Sequence, residues 1–162
     1  MKKIEVNTSV IVFENIEELS KEDKLLMQKA MEARENAYAP YSKFKVGAAL
    51  ILENGEIIIG NNQESAAYPS GMCAERVAIW RASSSYPNIK IQKMAVSASS
   101  LNYKVHKPVG PCGACRQTML DYEVNQKQPI EILFMGEIGE VVKTESLISL
   151  LPFSFDDSFL QV

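Results

Sequence analysis

The chain has 162 residues, 46% hydrophobic and 23% charged, with a formal net charge of −3 and a pI near 5.3. That is the size and composition of a single globular domain able to close over its own core. No segment gathers lysine and arginine on one face, so phosphate-driven binding to nucleic acid gets no support from charge. No apolar run is long enough to span a bilayer, and Met1 to Val6 lacks the apolar stretch of a signal peptide. Three cysteines without a secretion signal argue against a disulfide framework and for a reducing, cytoplasmic setting.

In chain order, Ile4, Val6, Thr8, Val10 and Val12 alternate with more polar neighbours, which predicts a strand over 3–13 as an N-terminal extension within 1–20. Ser20 with Asp23 reads as a capping box for a helix over 21–37, with Leu26, Ala30, Ala33 and Ala37 on one face and Pro40 beyond its end. Phe44 to Leu52 reads as a strand, Asn54-Gly55 as a two-residue hairpin turn, and Glu56 to Gly60 as the returning strand. Residues 61–72 have no period and contain Pro69 and Gly71, so they read as a loop. A helix is expected from Cys73 to the Ser83-Ser84-Ser85 run, a strand over 89–97, a polar connection over 101–110, and a helix from Cys112 to about Val124. Strands at 130–135 and 141–142 and a short helix over 145–151 finish the chain. There is no repeat and no long linker, so 1–162 reads as one domain. Alternating strands and helices imply an α/β layer sandwich, and the hairpin makes its sheet mixed.

The chemistry concentrates in two segments, Cys73-Ala74-Glu75-Arg76 and Pro111-Cys112-Gly113-Ala114-Cys115, which hold every cysteine. A catalytic zinc takes three protein ligands and keeps a fourth position open, and Cys73, Cys112 and Cys115 supply three. Cys112 and Cys115 stand three apart on one helical turn, and Cys73 opens another helix, where the N-terminal dipole favours thiolate. Three thiolates over-neutralise the metal, and Arg76, one turn on, offsets part of that charge. Glu75 is placed to carry protons. Taken singly, each residue has a plainer reading: the cysteines as buried thiols or a redox pair, Glu75 as a helix-start acid.

Taken together, the two segments resemble the cytidine deaminase family, and within it the small homotetrameric members whose zinc is held by three cysteines. The likeness extends through Ala39 to Leu50 (APYSKFKVGAAL), Gly60 to Met72 (GNNQESAAYPSGM) and the tail around Leu150-Leu151-Pro152 and Phe155, covering about residues 22–160. It implies a three-layer α/β/α sandwich around a five-stranded mixed sheet, to which the N-terminal strand is an addition. It implies one Zn2+ per subunit and a homotetramer with sites shared between subunits. It also implies substrate contacts: Phe44 packing on the pyrimidine, Asn62 and Glu64 on the sugar hydroxyls, the backbone of Ala66 on the base, and Tyr68 and Phe155 reaching a neighbouring subunit's site. Phe153 and Phe159 rival Phe155 for that role.

The chain departs from the pattern at Gln63, where a small aliphatic residue is usual, and in a longer 101–110 connection. His106, the only histidine, lies in that connection and is expected to face solvent. The reaction expected is hydrolytic deamination of cytidine and 2′-deoxycytidine to uridine and 2′-deoxyuridine with release of ammonia, in pyrimidine salvage. Alternatives are a related cytosine nucleoside such as blasticidin S, a base within a polynucleotide, and a non-catalytic zinc or nucleoside-binding module. Acidic pI and the Asn62/Glu64 pair oppose the polynucleotide reading.

Overall fold

The structure, a computed structural model, describes residues 1–160. Its first helix, α1 (Lys21–Glu35), starts where the capping pattern places it: the Ser20 hydroxyl accepts from the Asp23 amide at 3.1 Å. The helix ends two residues earlier than expected because the following chain is pulled into backbone pairing, with Tyr38 N–H donating to Asn62 O at 3.0 Å and Glu64 N–H to Tyr38 O at 2.9 Å.

Strand β1 is Ile11–Phe13, β2 is Phe44–Leu52 and β3 is Ile57–Asn61. The β2–β3 turn is a three-residue loop, not the expected two-residue one. Leu52 N–H donates to Glu56 O at 2.9 Å, and Gly55 sits at φ 87°, the left-handed residue that such a loop requires. The loop over 62–72 contains a 3-10 turn at Tyr68–Ser70 and is folded back by reciprocal Gln63–Met72 backbone bonds of 2.9 and 2.8 Å. Then come α2 (Ala74–Ser85), β4 (Ile91–Ser100), α3 (Gly113–Gln126), β5 (Glu131–Met135) and β6 (Val141–Thr144). The expected short helix over 145–151 is a 3-10 turn, Leu147–Leu150, pinned at its start by the buried Glu123 carboxylate. That group accepts from Leu147 N–H at 2.8 Å and Ser146 Oγ at 2.6 Å.

The sheet order is β1-β6-β5-β4-β2-β3; β4 and β5 are parallel and all other neighbours antiparallel. Alternate residues of each strand face opposite layers. Ala49, Ala95 and Leu133 meet Leu26, Met27 and Ala30 of α1, while Leu50, Met94 and Ile132 meet Ala78, Ile79, Met119 and Leu120 of α2 and α3. Each fully buried Leu or Ile contributes about 1.5–3 kcal/mol of apolar transfer. The result is a three-layer α/β/α sandwich around a five-stranded mixed sheet with β1 added at one edge. Two glycines set the layer spacing. A Cβ on Gly47 would meet Ala30 O of α1 at 2.0 Å, and one on Gly60 would meet Ala78 N of α2 at 2.5 Å.

The N-terminal strand is much shorter than the 3–13 expected. β6 offers partners only to Ile11, Val12 and Phe13, so residues 1–10 have no ladder to join and are exposed. No helix of the described residues is long and apolar enough to cross a membrane.

Candidate active site

Gly60 brings the start of α2 hard against β3, so residues 73–76 lie beside the loop that follows Asn61. Cys73 is the N-cap of α2 and Cys112 the N-cap of α3, and neither sulfur caps its own helix. Both are free to turn toward each other. Cys73 Sγ is 3.9 Å from Cys112 Sγ, and Cys112 Sγ is 3.5 Å from Cys115 Sγ. All three lie within 4.8 Å of one another and form the cluster of possible metal ligands among the described residues.

Sulfurs around a tetrahedral zinc at ~2.3 Å stand ~3.8 Å apart, close to the two shorter separations here, so this donor set fits the ion. Soft thiolates are also the ligand type zinc prefers to calcium- or magnesium-type oxygen donors. The cluster supplies three protein ligands, which matches the open coordination of a catalytic site.

The electrostatics follow from the packing. Cys73 is held down to about 5 by a hydrogen bond from Cys115 and by Arg76, whose Nη2 is 3.5 Å from the sulfur. Cys115 is pushed up by that same bond with Cys73 and by burial. The Arg76 guanidinium, held charged by its bond to Cys73, lies 5.9 Å from the centre of the Trp80 ring. Glu75 is buried, 5% exposed, and burial lifts its carboxyl above the ordinary range, with the Cys73 charge acting the same way. A carboxyl whose proton affinity is raised by burial is suited to take up and release protons.

The cluster opens into a cavity of about 620 Å³, the size of a small-molecule pocket, whose walls include Phe44, Asn62, Glu64, Tyr68, Glu75, Arg76 and Cys112. Cys73 lines it too, so eight of the candidate site residues singled out from the sequence share one space. Asn62 is partly committed to the scaffold: its Oδ1 accepts from Val46 N–H at 2.8 Å and its Nδ2 donates to Phe44 O at 3.0 Å. Glu64 accepts from Tyr41 N–H at 2.9 Å, Ser42 N–H at 3.2 Å and the Ser42 hydroxyl. Burial alone would raise Glu64, but these donors outweigh it and hold the carboxyl below its ordinary value. Both residues thus clamp the 41–46 segment while facing the cavity.

Ala66 is exposed and is not part of this wall. Phe155 lies elsewhere in the chain, in a second hollow with Gln117 and Asp121, where Gln117 Nε2 donates to its carbonyl at 2.8 Å. Gln63 lines the cavity at the position where the sequence departs from the expected pattern.

Sequence reasoning missed several wall residues. Tyr41 and Ser42 hold Glu64 largely through backbone N–H groups, which leave no side-chain signature. The 101–110 connection, given no role from sequence, contributes Val109 and Gly110 to the cavity. Its Val105 is buried and accepts from Glu137 N–H at 2.8 Å. Val105 and Val109, apolar residues in the later part of a mostly polar stretch, were the signal available. His106 is exposed and outside the cysteine cluster.

Comparison with known proteins matches this arrangement. The family model of the cytidine and deoxycytidylate deaminase zinc-binding region matches residues 20–128. A cytidine deaminase of Halalkalibacterium halodurans is 38% identical over 132 residues, covering 82% of this chain and 92% of its own. One of Sporosarcina psychrophila is 39% identical over 130 residues, covering 80% and 88%. Among solved structures, cytidine deaminase from Burkholderia pseudomallei superposes with a TM-score of 0.72 at 38% identity, over 85% of this chain and 100% of that one. The Mycobacterium tuberculosis enzyme gives 0.64 at 26% identity, over 84% and 98%. With its thiolate cluster fitted to one zinc per subunit, this chain belongs to the cytidine and deoxycytidylate deaminase family and is a zinc-dependent deaminase.

Proposed function

We propose that the protein hydrolyses free cytidine and 2′-deoxycytidine to uridine and 2′-deoxyuridine, releasing ammonia, as a cytoplasmic step of pyrimidine salvage. The observation that carries this reading is a buried carboxylate, Glu75, beside three clustered sulfurs in a cavity also walled by Phe44, Asn62 and Glu64. Cys73, Cys112 and Cys115 hold the zinc. When bound, zinc acts as a Lewis acid that makes water nucleophilic near neutral pH.

The chain's own groups do the rest. Glu75 accepts a proton from the attacking water and delivers it to ring N3. It then passes the water's second proton to the exocyclic amine, which leaves C4 as ammonia while the C4 oxygen becomes the uridine carbonyl. Burial is what lets this carboxyl hold a proton between the two transfers. Arg76 donates to Cys73 and disperses thiolate charge that would otherwise oppose the chemistry. Phe44 offers a ring face to the pyrimidine, and Asn62 and Glu64 use their remaining acceptor and donor capacity on sugar hydroxyls.

Ala66 contributes its backbone to the base. Tyr68 and Phe155 act across a subunit boundary in a homotetramer. The placement of Phe155 away from its own chain's cavity supports that role, as does the 90% exposure of neighbouring Phe153. Tyr68 lines its own chain's cavity and is also 78% exposed, which leaves its outer face available to a neighbour.

The test is to incubate the purified protein with cytidine and follow conversion to uridine by ultraviolet absorbance, with and without a zinc chelator. Conversion that a chelator abolishes and added zinc restores is the expected result. Chelator-resistant turnover, or none with zinc present, overturns the assignment. Cytosine in single-stranded DNA and blasticidin S, run alongside, are expected to react far more slowly.

A further inference from the structure

Residues 1–19 precede the matched family region and form an arm whose purpose the site does not explain. Only Ile11–Phe13 are laddered, and only on one side, to β6; the other edge of β1 is open among the described residues. An open edge presents unpaired N–H and C=O groups, and folded proteins usually blunt it with proline, an inward charge, a bulge or a covering side chain. The far edge of this sheet has such a device: Arg81 Nη1 on α2 reaches Ile59 O of β3 at 3.4 Å.

The β1 edge has none. Val10-Ile11-Val12-Phe13 contains no proline, glycine or charge, and Val10, Ile11 and Val12 are 46%, 48% and 53% exposed. Ahead of it Ile4 and Val6 are exposed as well, and Thr8 Oγ1 donates to Ser149 O at 2.8 Å, which fixes one side of the arm to the body.

The charge pattern selects the partner. Lys2 and Lys3 mark the outer end of the arm, where Glu5 pairs with Lys3 at 2.9 Å and leaves Lys2 as the unmatched cation, while Glu14, Glu17 and Glu18 mark its inner end. Two such arms side by side in parallel set like charges against like. Set antiparallel, each basic end meets an acidic end. A two-fold axis through Thr8 places residue i opposite residue 16 − i, so that Val6 faces Val10, Ile4 faces Val12, and Lys2 faces Glu14. Ile4, Val6, Val10 and Val12 all share one face of an extended chain, so this register brings aliphatic residues together on one side.

We propose that the arm is a homotypic pairing strand: residues 2–14 of two copies of this chain pair antiparallel along the free edge of β1 and join two sheets into one. The contact is isologous and uses residues outside the catalytic cavity. It is separate from the shared-site tetramer, so its failure and the failure of the deaminase reading are independent.

A cysteine scan of the full-length, zinc-loaded protein tests it. Val6, Asn7, Thr8, Ser9 and Val10 are each replaced by cysteine, treated with a mild thiol oxidant and run on non-reducing gels. Leu25→Cys, exposed on α1, and the unsubstituted protein serve as controls. A covalent two-chain species is expected to peak at Thr8→Cys and fall on either side, because only residues at the two-fold axis bring identical positions within disulfide reach.

In the Thr8→Cys background, Lys2→Glu and Glu14→Lys are each expected to lower cross-linking about threefold, and the double reversal to restore it. Two outcomes overturn the proposal: cross-linking absent or equal at all positions including Leu25, or charge reversals that do not compensate one another. Activity assayed on the same samples is expected to be unchanged.

Discussion

Two carboxylates in this protein are buried to nearly the same degree, Asp23 at 4% and Glu75 at 5% exposure, yet their surroundings push them in opposite directions. Asp23, in the first turn of α1, lies 2.9 Å from Lys93 Nζ on β4 and 2.9 Å from Lys143 Nζ on β6; Lys143 is in turn 2.7 Å from Glu131 on β5. Burial alone would raise Asp23, but the two lysines outweigh it and hold the carboxyl below its ordinary value. Glu75 has no lysine partner, and the effect of the Cys73 charge on it exceeds that of Arg76, so burial prevails and its proton affinity rises. A buried carboxylate with its charge fully met is a structural clamp, here tying α1 to β4 and β6. One whose charge is left in tension can do proton chemistry.

The sharpest way to break that contrast is Glu75→Gln. Removing the proton carrier is expected to lower kcat on cytidine by about 10³-fold, within the usual range for a lost general acid–base, while zinc content by atomic absorption stays at one per chain. A variant that keeps wild-type turnover removes Glu75 from the mechanism.

Asp23→Asn attacks the other half. It leaves Lys93 and Lys143 short of a buried counter-charge and is expected to lower stability by about 3 kcal/mol in urea unfolding, with kcat per folded molecule unchanged. The pH dependence follows the same logic. Because the folded state depresses the Asp23 pKa, its contribution is fully present above the unfolded value of about 3.9 and is lost as pH falls through the lower folded value. Acid titration of stability should therefore be steeper below about pH 4 in the wild type than in Asp23→Asn.

Glu64→Gln gives the smallest effect and probes a residue that belongs to both categories, since it clamps the 41–42 backbone and faces the cavity. Loss of one charge-assisted bond is expected to lower kcat/KM for cytidine by roughly tenfold, mostly through KM. A purely structural role predicts instead a lowered melting temperature with kcat/KM unchanged.

Much of this was legible before folding. The capping hydroxyl of Ser20, the helix starts at Cys73 and Cys112, and the full span of β2 follow from local rules. Side-chain period and helix capping act over only a few residues. The three sulfurs, Glu75 and Arg76 were readable for a similar reason, since each segment carries its group at a helix N-terminus and the spacing alone puts Cys112 and Cys115 on one turn.

Other features depended on partners distant in sequence. The N-terminal strand had the right alternation over eleven residues, but β6 could pair only three of them. The role of Asn62 as a rung against Phe44 and Val46 required β2 to lie beside it, and the cavity wall at Val109 and Gly110 required the 101–110 connection to fold back. The opposite proton affinities of Asp23 and Glu75 were also beyond the sequence, which shows two acids in first turns and nothing more. By itself the sequence determined which groups the protein has for chemistry, because donor type and local spacing are properties of short segments. Only the tertiary structure decided which charges are met and which are left in tension, because burial and long-range partners set the dielectric and the counter-charge at each site.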